Sequence, residues 1–206
     1  MSSTAVTISM ANRAKLEPEV APAAAGAIGI ASTIMVVRVG VLVAITNMSL
    51  LPKLLVPLAG AALGAALGIL LVFRRPAEGS NPAKLENVKN PFDLGSAVRF
   101  GAVFAVILLA TKAAQTYLGN QGLYLAALIA GLTDVDAVTL STARNAGAEL
   151  HAAMVAILLA VASNTIVKSS LAWGIGGRAL GQRAFLVGAL IIAGAAGGAG
   201  AALALS

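Results

Sequence analysis

The sequence predicts an all-α integral membrane protein of about six transmembrane helices, preceded by a short N-terminal helix and carrying a parallel internal repeat. Three observations carry that prediction. Of 206 residues, 59% are hydrophobic and only 11% charged, and the mean hydropathy is +0.92. That composition leaves too little polar surface to solvate a soluble domain. The apolar residues come in runs of about 20, each long enough at ~1.5 Å of rise per residue to cross ~30 Å of hydrocarbon. Finally, a stretch near the N-terminus recurs in the second half.

Met1 to Val20 is polar to mildly apolar, with Arg13, Lys15, Glu17 and Glu19 ahead of Pro22, and reads as a short helix and an entry loop. The first span, Pro22 to Thr46, carries Arg38 beyond its centre, where a lipid-facing surface would tolerate it only by snorkelling. The second, Lys53 to Phe73, holds Gly60, Gly64 and Gly68, a small-residue ridge that admits another helix backbone. Arg74 to Gly95 turns polar and contains Pro76, Pro82 and Pro91, and is the one linker. The third span, Ser96 to Leu118, carries Lys112 and Gln115 near its far end. The fourth, Gly122 to Ala143, contains Asp134 and Asp136, and the fifth, Ala152 to Trp173, contains Asn164 and Lys168. The sixth, Ala184 to Leu205, presents Gly194 and Gly198 for close helix contact. Residues 1–95 form a first repeat with its linker, and 96–206 a second repeat bearing the acid pair.

The repeat is read from Ser2 to Ala11 against Asp134 to Ala143, where Ala5, Val6, Thr7, Ser9 and Ala11 match Ala137, Val138, Thr139, Ser141 and Ala143. Downstream, with about two residues of slippage in the intervening loop, Arg38 falls opposite Lys168. If the short N-terminal helix counts as a span, four spans separate equivalent positions, which makes the repeats parallel, related by an axis along the membrane normal. The first repeat begins in mid-helix, so the chain is expected to be truncated, or to rely on a second copy or a partner for the missing helices. Ser2 and Thr4 stand where the second half has Asp134 and Asp136, so acid-dependent chemistry is expected of the second half alone.

The block Gly131-Leu-Thr-Asp-Val-Asp-Ala-Val-Thr-Leu-Ser-Thr-Ala-Arg144, the Asn90-Pro-Phe-Asp-Leu entry and Ala160-Val-Ala-Ser-Asn-Thr-Ile-Val-Lys168 resemble a family. It is the uncharacterised bacterial membrane domain (domain of unknown function 4010) found C-terminal to MgtC/SapB-like domains. The resemblance covers essentially the whole chain, here without the MgtC/SapB-like half. It implies a polytopic inner-membrane protein tied to magnesium or another divalent cation.

An acid at mid-membrane costs roughly 2.5–3.5 kcal/mol, so Asp134 and Asp136 are either paired within the bundle or on an ion or proton path. On a regular helix the two point to different faces. A helix opened near Gly131 would let both acids and freed carbonyls make an oxygen-rich cation site. Asn164, by depth the better match to Asp134, would be a neutral ligand, with Thr139 and Ser141 as further hydroxyls or helix-helix hydrogen bonders. Arg38 and Lys168 would pair with the acids or gate the site, and Lys112 would snorkel outward. His151 beside Glu149 reads as an interfacial helix end, and Trp173, Tyr117 and Tyr124 as aromatics near outer span ends.

Several classes are disfavoured. There is no cysteine and one histidine, which argues against disulfides and a zinc enzyme. The net charge is +6, but the basic residues gather in the linker, where positive charge marks the cytoplasmic side rather than a nucleic-acid-binding face. Two acids on one helix do not make an aspartyl-protease dyad. The function expected is transport of a small inorganic ion, a divalent cation such as magnesium by preference, with no enzyme activity and no cofactor. The alternative is a non-transporting subunit whose glycine faces bind partner helices. Lys and Arg counted by side place both termini in the cytoplasm of a bacterial inner membrane.

Overall fold

The computed structural model describes residues 3–74, 109, 113 and 116–204. All regular structure among the described residues is helical. Helix α1 is Ser3–Leu16, and a 3-10 turn at Pro18–Val20 leads into α2, Ala21–Thr46. Helix α3 is Leu51–Phe73, α4 is residues 116–131, α5 is Val135–Asn145 and α6 is Leu150–Ala204. Three helical stretches are long and apolar enough to cross a membrane, Pro18–Thr46, Leu51–Phe73 and Leu150–Ala204. The expected third span, with Lys112 and Gln115, lies outside the described residues except at 109, 113 and 116–118.

Both faces of α2 are apolar. Ile28, Met35, Val36, Val39 and Val43 are buried, while Ile30, Ile34, Val37, Val41 and Ile45 form an exposed stripe. The exposed Leu55, Leu63, Leu67 and Leu70 do the same on α3. A helix apolar all round suits a lipid environment, where an outer stripe meets acyl chains at no cost.

The stretches expected as fifth and sixth spans are the two arms of α6, helical throughout except at Gly177, whose φ of 79° lies in the left-handed region that glycine enters without a Cβ penalty. The chain reverses there. Ser169 Oγ reaches the carbonyl of Ala184 at 3.2 Å, and Gly188 lies against Thr165 and Ser169, so the arms pack antiparallel. Helices α2 and α3 likewise form an antiparallel pair, with Gly26 against Phe73 and Gly40 against Leu58.

The two pairs meet through their glycines. Gly60 abuts the carbonyl of Gly194, Gly64 that of Leu190, and Gly198 that of Val56, so tightly that a Cβ at any of the three would collide with backbone. The ridge expected to bind a partner is thus engaged within the chain. Its order, Gly60 to Gly194 and Gly64 to Leu190, makes α3 and the second arm antiparallel.

Two expectations are corrected. Gly122 to Ala143 is not one span: the helix stops at Gly131, Leu132 and Thr133 form a turn, and α5 begins after Asp134. With 11 residues, α5 is only about 16 Å long. The expected parallel relation is not met either: α3 and the second arm, which the expected repeat sets opposite one another, run in opposite directions. The parallel relation requires Gly122 to Ala143 to be one full crossing, and the break after Gly131 removes it.

Candidate functional site

Helix α4 ends inside the protein, and side chains from the first arm of α6 receive it. Asn164 Nδ2 donates to the carbonyl of Gly131 at 2.9 Å, and Ser163 Oγ donates to the carbonyl of Leu128 at 2.7 Å. A Cβ at Gly131 would sit 2.7 Å from the Ala160 backbone, so glycine is what lets the helix end approach the arm. Helix ends leave carbonyls without intrahelical partners, and two buried side chains answer that need here.

Asp134 has extended backbone and caps α5, its Oδ1 accepting from the Asp136 amide at 2.9 Å. Asp136, in the first turn of α5, pairs with Arg38 of α2 at 2.5 Å from Oδ2 to the guanidinium. The pair is partly open, with side-chain exposures of 28% and 44%. The break after Gly131 sets α5 where Asp136 meets Arg38. The other oxygen of Asp136, Oδ1, is buried without a hydrogen-bond partner, as is Oδ1 of Asn164.

Lys168 is 1% exposed, one turn beyond Asn164. Its ammonium donates to the thioether of Met35 at 3.0 Å rather than to a carboxylate, although it lies within electrostatic range of Asp136 and Arg38. Sulfur is a weak acceptor, so a buried ammonium is poorly compensated by it.

The remaining candidates do less at this point. Thr139 Oγ1 donates to the Val135 carbonyl at 2.8 Å within its own helix. Ser141 is buried, and its carbonyl accepts from Asn145. His151 lies away from the acids, lining an apolar recess of about 280 Å³ between the ends of the α6 arms. Trp173 stacks edge-on against Phe185 near the α6 bend. Among the described residues no three His, Cys, Asp or Glu side chains gather as a metal cluster.

Met35 and Ser163 were not singled out from sequence. The signal for Ser163 was present in the Ser163-Asn164-Thr165 run, three polar residues inside an apolar helix. None existed for Met35, which looks like any core apolar residue.

The chain belongs to the family described as Domain of unknown function (DUF4010), whose model matches residues 1–176. It is 36% identical over 89 residues to an uncharacterized protein of Aquifex aeolicus (strain VF5), a match covering 42% of this chain and 39% of that protein. The chain thus spans about two fifths of that relative's length. No solved structure matches.

Proposed function

We propose that this DUF4010 member carries a small inorganic ion across the membrane, with the interrupted α4–α5 segment as the seat of the ion. One observation supports the reading above the rest: beside a helix break inside an apolar fold, two acceptor oxygens, Asp136 Oδ1 and Asn164 Oδ1, are buried without donors. Buried acceptors are nearly always satisfied, so orphaned ones on the residue that holds the end of α4 and on the first turn of α5 invite a cation, a proton or a water. Interrupted helices are where membrane transporters put freed backbone and polar side chains around an ion.

The charge inventory narrows the ion. Asp134 and Asp136 are opposed by Arg38 and Lys168, so the surroundings are close to neutral. A dication would face two bases in a medium where charge is weakly screened. A proton or a singly charged cation fits better than the magnesium ion that the resemblance implies. The partner-binding alternative loses its main support, since Gly60, Gly64, Gly194 and Gly198 pack against one another within the chain.

The test is flux into proteoliposomes for protons, Na⁺, K⁺ and Mg²⁺, comparing wild type with Asp136→Asn. Flux of a singly charged ion that falls at least tenfold in the variant, with the variant folded, is the expected result. Equal flux in both proteins, or none in either, would overturn the proposal.

A further inference from the structure

We infer that the two halves form an inverted repeat and that Asp136 is one carboxylate serving two symmetry-related bases, Arg38 in the conformation described and Lys168 in its counterpart. Only the use of this exchange to move an ion rests on the transport reading.

The symmetry is visible in reciprocal contacts. The register that sets Arg38 opposite Lys168 sets Gly60, Gly64 and Gly68 opposite Leu190, Gly194 and Gly198. Under it, the contact of Gly60 with Gly194 becomes that of Leu190 with Gly64, and both are present. The contact of Val56 with Gly198 likewise returns, one residue displaced, as that of Val187 with Gly68. Asn47, at the end of α2, holds the carbonyl of Ala143, and Gly176, at the end of the first α6 arm, abuts Ala11, the equivalent of Ala143. Within the short helices, Thr7 bonds to the Ser3 carbonyl as Thr139 bonds to that of Val135. Because α3 and the second arm are equivalent yet antiparallel, the axis relating them is perpendicular to both. For helices that cross a membrane, such an axis lies in the membrane plane, the arrangement of inverted-topology repeats.

Arg38 and Lys168 are exchanged by this axis, but their acids are not. Asp136, which meets Arg38, has Thr4 as its counterpart on α1. The same axis carries the pairing of α5 with α2, where Ala143 meets Asn47 and Asp136 meets Arg38, onto α1 and the first arm, where Ala11 meets Gly176, and so assigns Thr4 to the level of Lys168. By this symmetry the position assigned to Lys168 carries a hydroxyl where that of Arg38 carries a carboxylate, and the ammonium donates to the Met35 sulfur instead. Meanwhile Asp136 Oδ1 is buried without a donor. A poorly compensated ammonium and an unused carboxylate oxygen within electrostatic range describe a pair formed in the alternative state. Passing Asp136 from Arg38 to Lys168 exchanges the roles of the two halves, which in an inverted repeat turns the site from one side of the membrane to the other.

The experiment is thermal unfolding of the full chain in lipid nanodiscs. Thr4→Asp gives Lys168 its own acid and is expected to raise Tm by about 2–4 °C. Adding Lys168→Met is expected to abolish that gain. A fall in Tm of similar size whether or not Lys168 is replaced overturns the inference. Should Thr4→Asp not fold, Arg38→Met and Lys168→Met decide. Each alone leaves Asp136 one base, so the double variant is expected to lose more Tm than the two single losses combined, and strict additivity overturns the inference. These readouts stand even if no ion is transported. If flux is present, Thr4→Asp is expected to slow it at least tenfold by removing the need for exchange.

Discussion

The hairpin of α1 and α2 and the hairpin of α5 and the first arm of α6 are built alike and equipped differently. Each pairs a short helix with a long apolar one, each repeats the threonine bond, and each places a base at the same position. Yet only the second has acids at the start of its short helix and a polar run on its long one. Asn164, which secures the Gly131 carbonyl, stands opposite Ile34, which is 62% exposed on the outer surface of α2. Packing is duplicated and chemistry is not, because packing needs only matched shape whereas a charged group within an apolar layer must be justified by a partner or a task.

The largest expected effect breaks the shared part. Gly64→Val places a side chain against the Leu190 backbone, which cannot rotate away, and Gly194→Val does the same against Gly60. Both are expected to lose the folded protein in detergent size-exclusion, whereas Gly197→Val, with open space around it, is expected to elute as wild type.

The next sharpens the unshared part. Asn164→Ile copies the residue of the other half, abolishing the hydrogen bond to Gly131 and leaving a carbonyl unpaired at a cost of about 1–3 kcal/mol. The reverse change, Ile34→Asn, is expected to cost stability without affecting flux, since that position lies away from the break. Unfolding and flux measured on both variants check the contrast.

The smallest effect separates cap from charge. Asp134→Ala removes the α5 cap and is expected to cost about 1 kcal/mol in chemical or thermal unfolding, while Asp134→Asn keeps the cap and most of the stability. If Asp134 also contributes charge to an ion, Asp134→Asn will still reduce flux.

The legible part of the site was its cast. Asp134, Asp136, Asn164, Arg38 and Lys168 were each identifiable as polar groups in apolar surroundings, since such placement is costly wherever the helix points. That the bases would pair with the acids was legible, as Arg38 does with Asp136, but which base takes which acid was not. Distance along a helix gives depth only while the helix is continuous, and the break after Gly131 moves Asp136 onto Arg38 and leaves Lys168 to Met35. The glycine ridges were legible as close-packing faces but not as each other's partners, because a small-residue stripe states a separation and names no neighbour.

By itself the sequence determined that the protein is helical and suited to lipid, which helices are apolar, and which few residues carry charge into them. Hydrophobic run length and the cost of buried charge are local properties, readable one segment at a time. Only the tertiary structure decided that α6 turns back at Gly177, that the acid segment is broken, and that α3 and the second arm of α6 meet antiparallel. Those features depend on contacts between residues far apart in the chain, where a single glycine's backbone angle or the fit of two ridges outweighs the preferences of the segments they join.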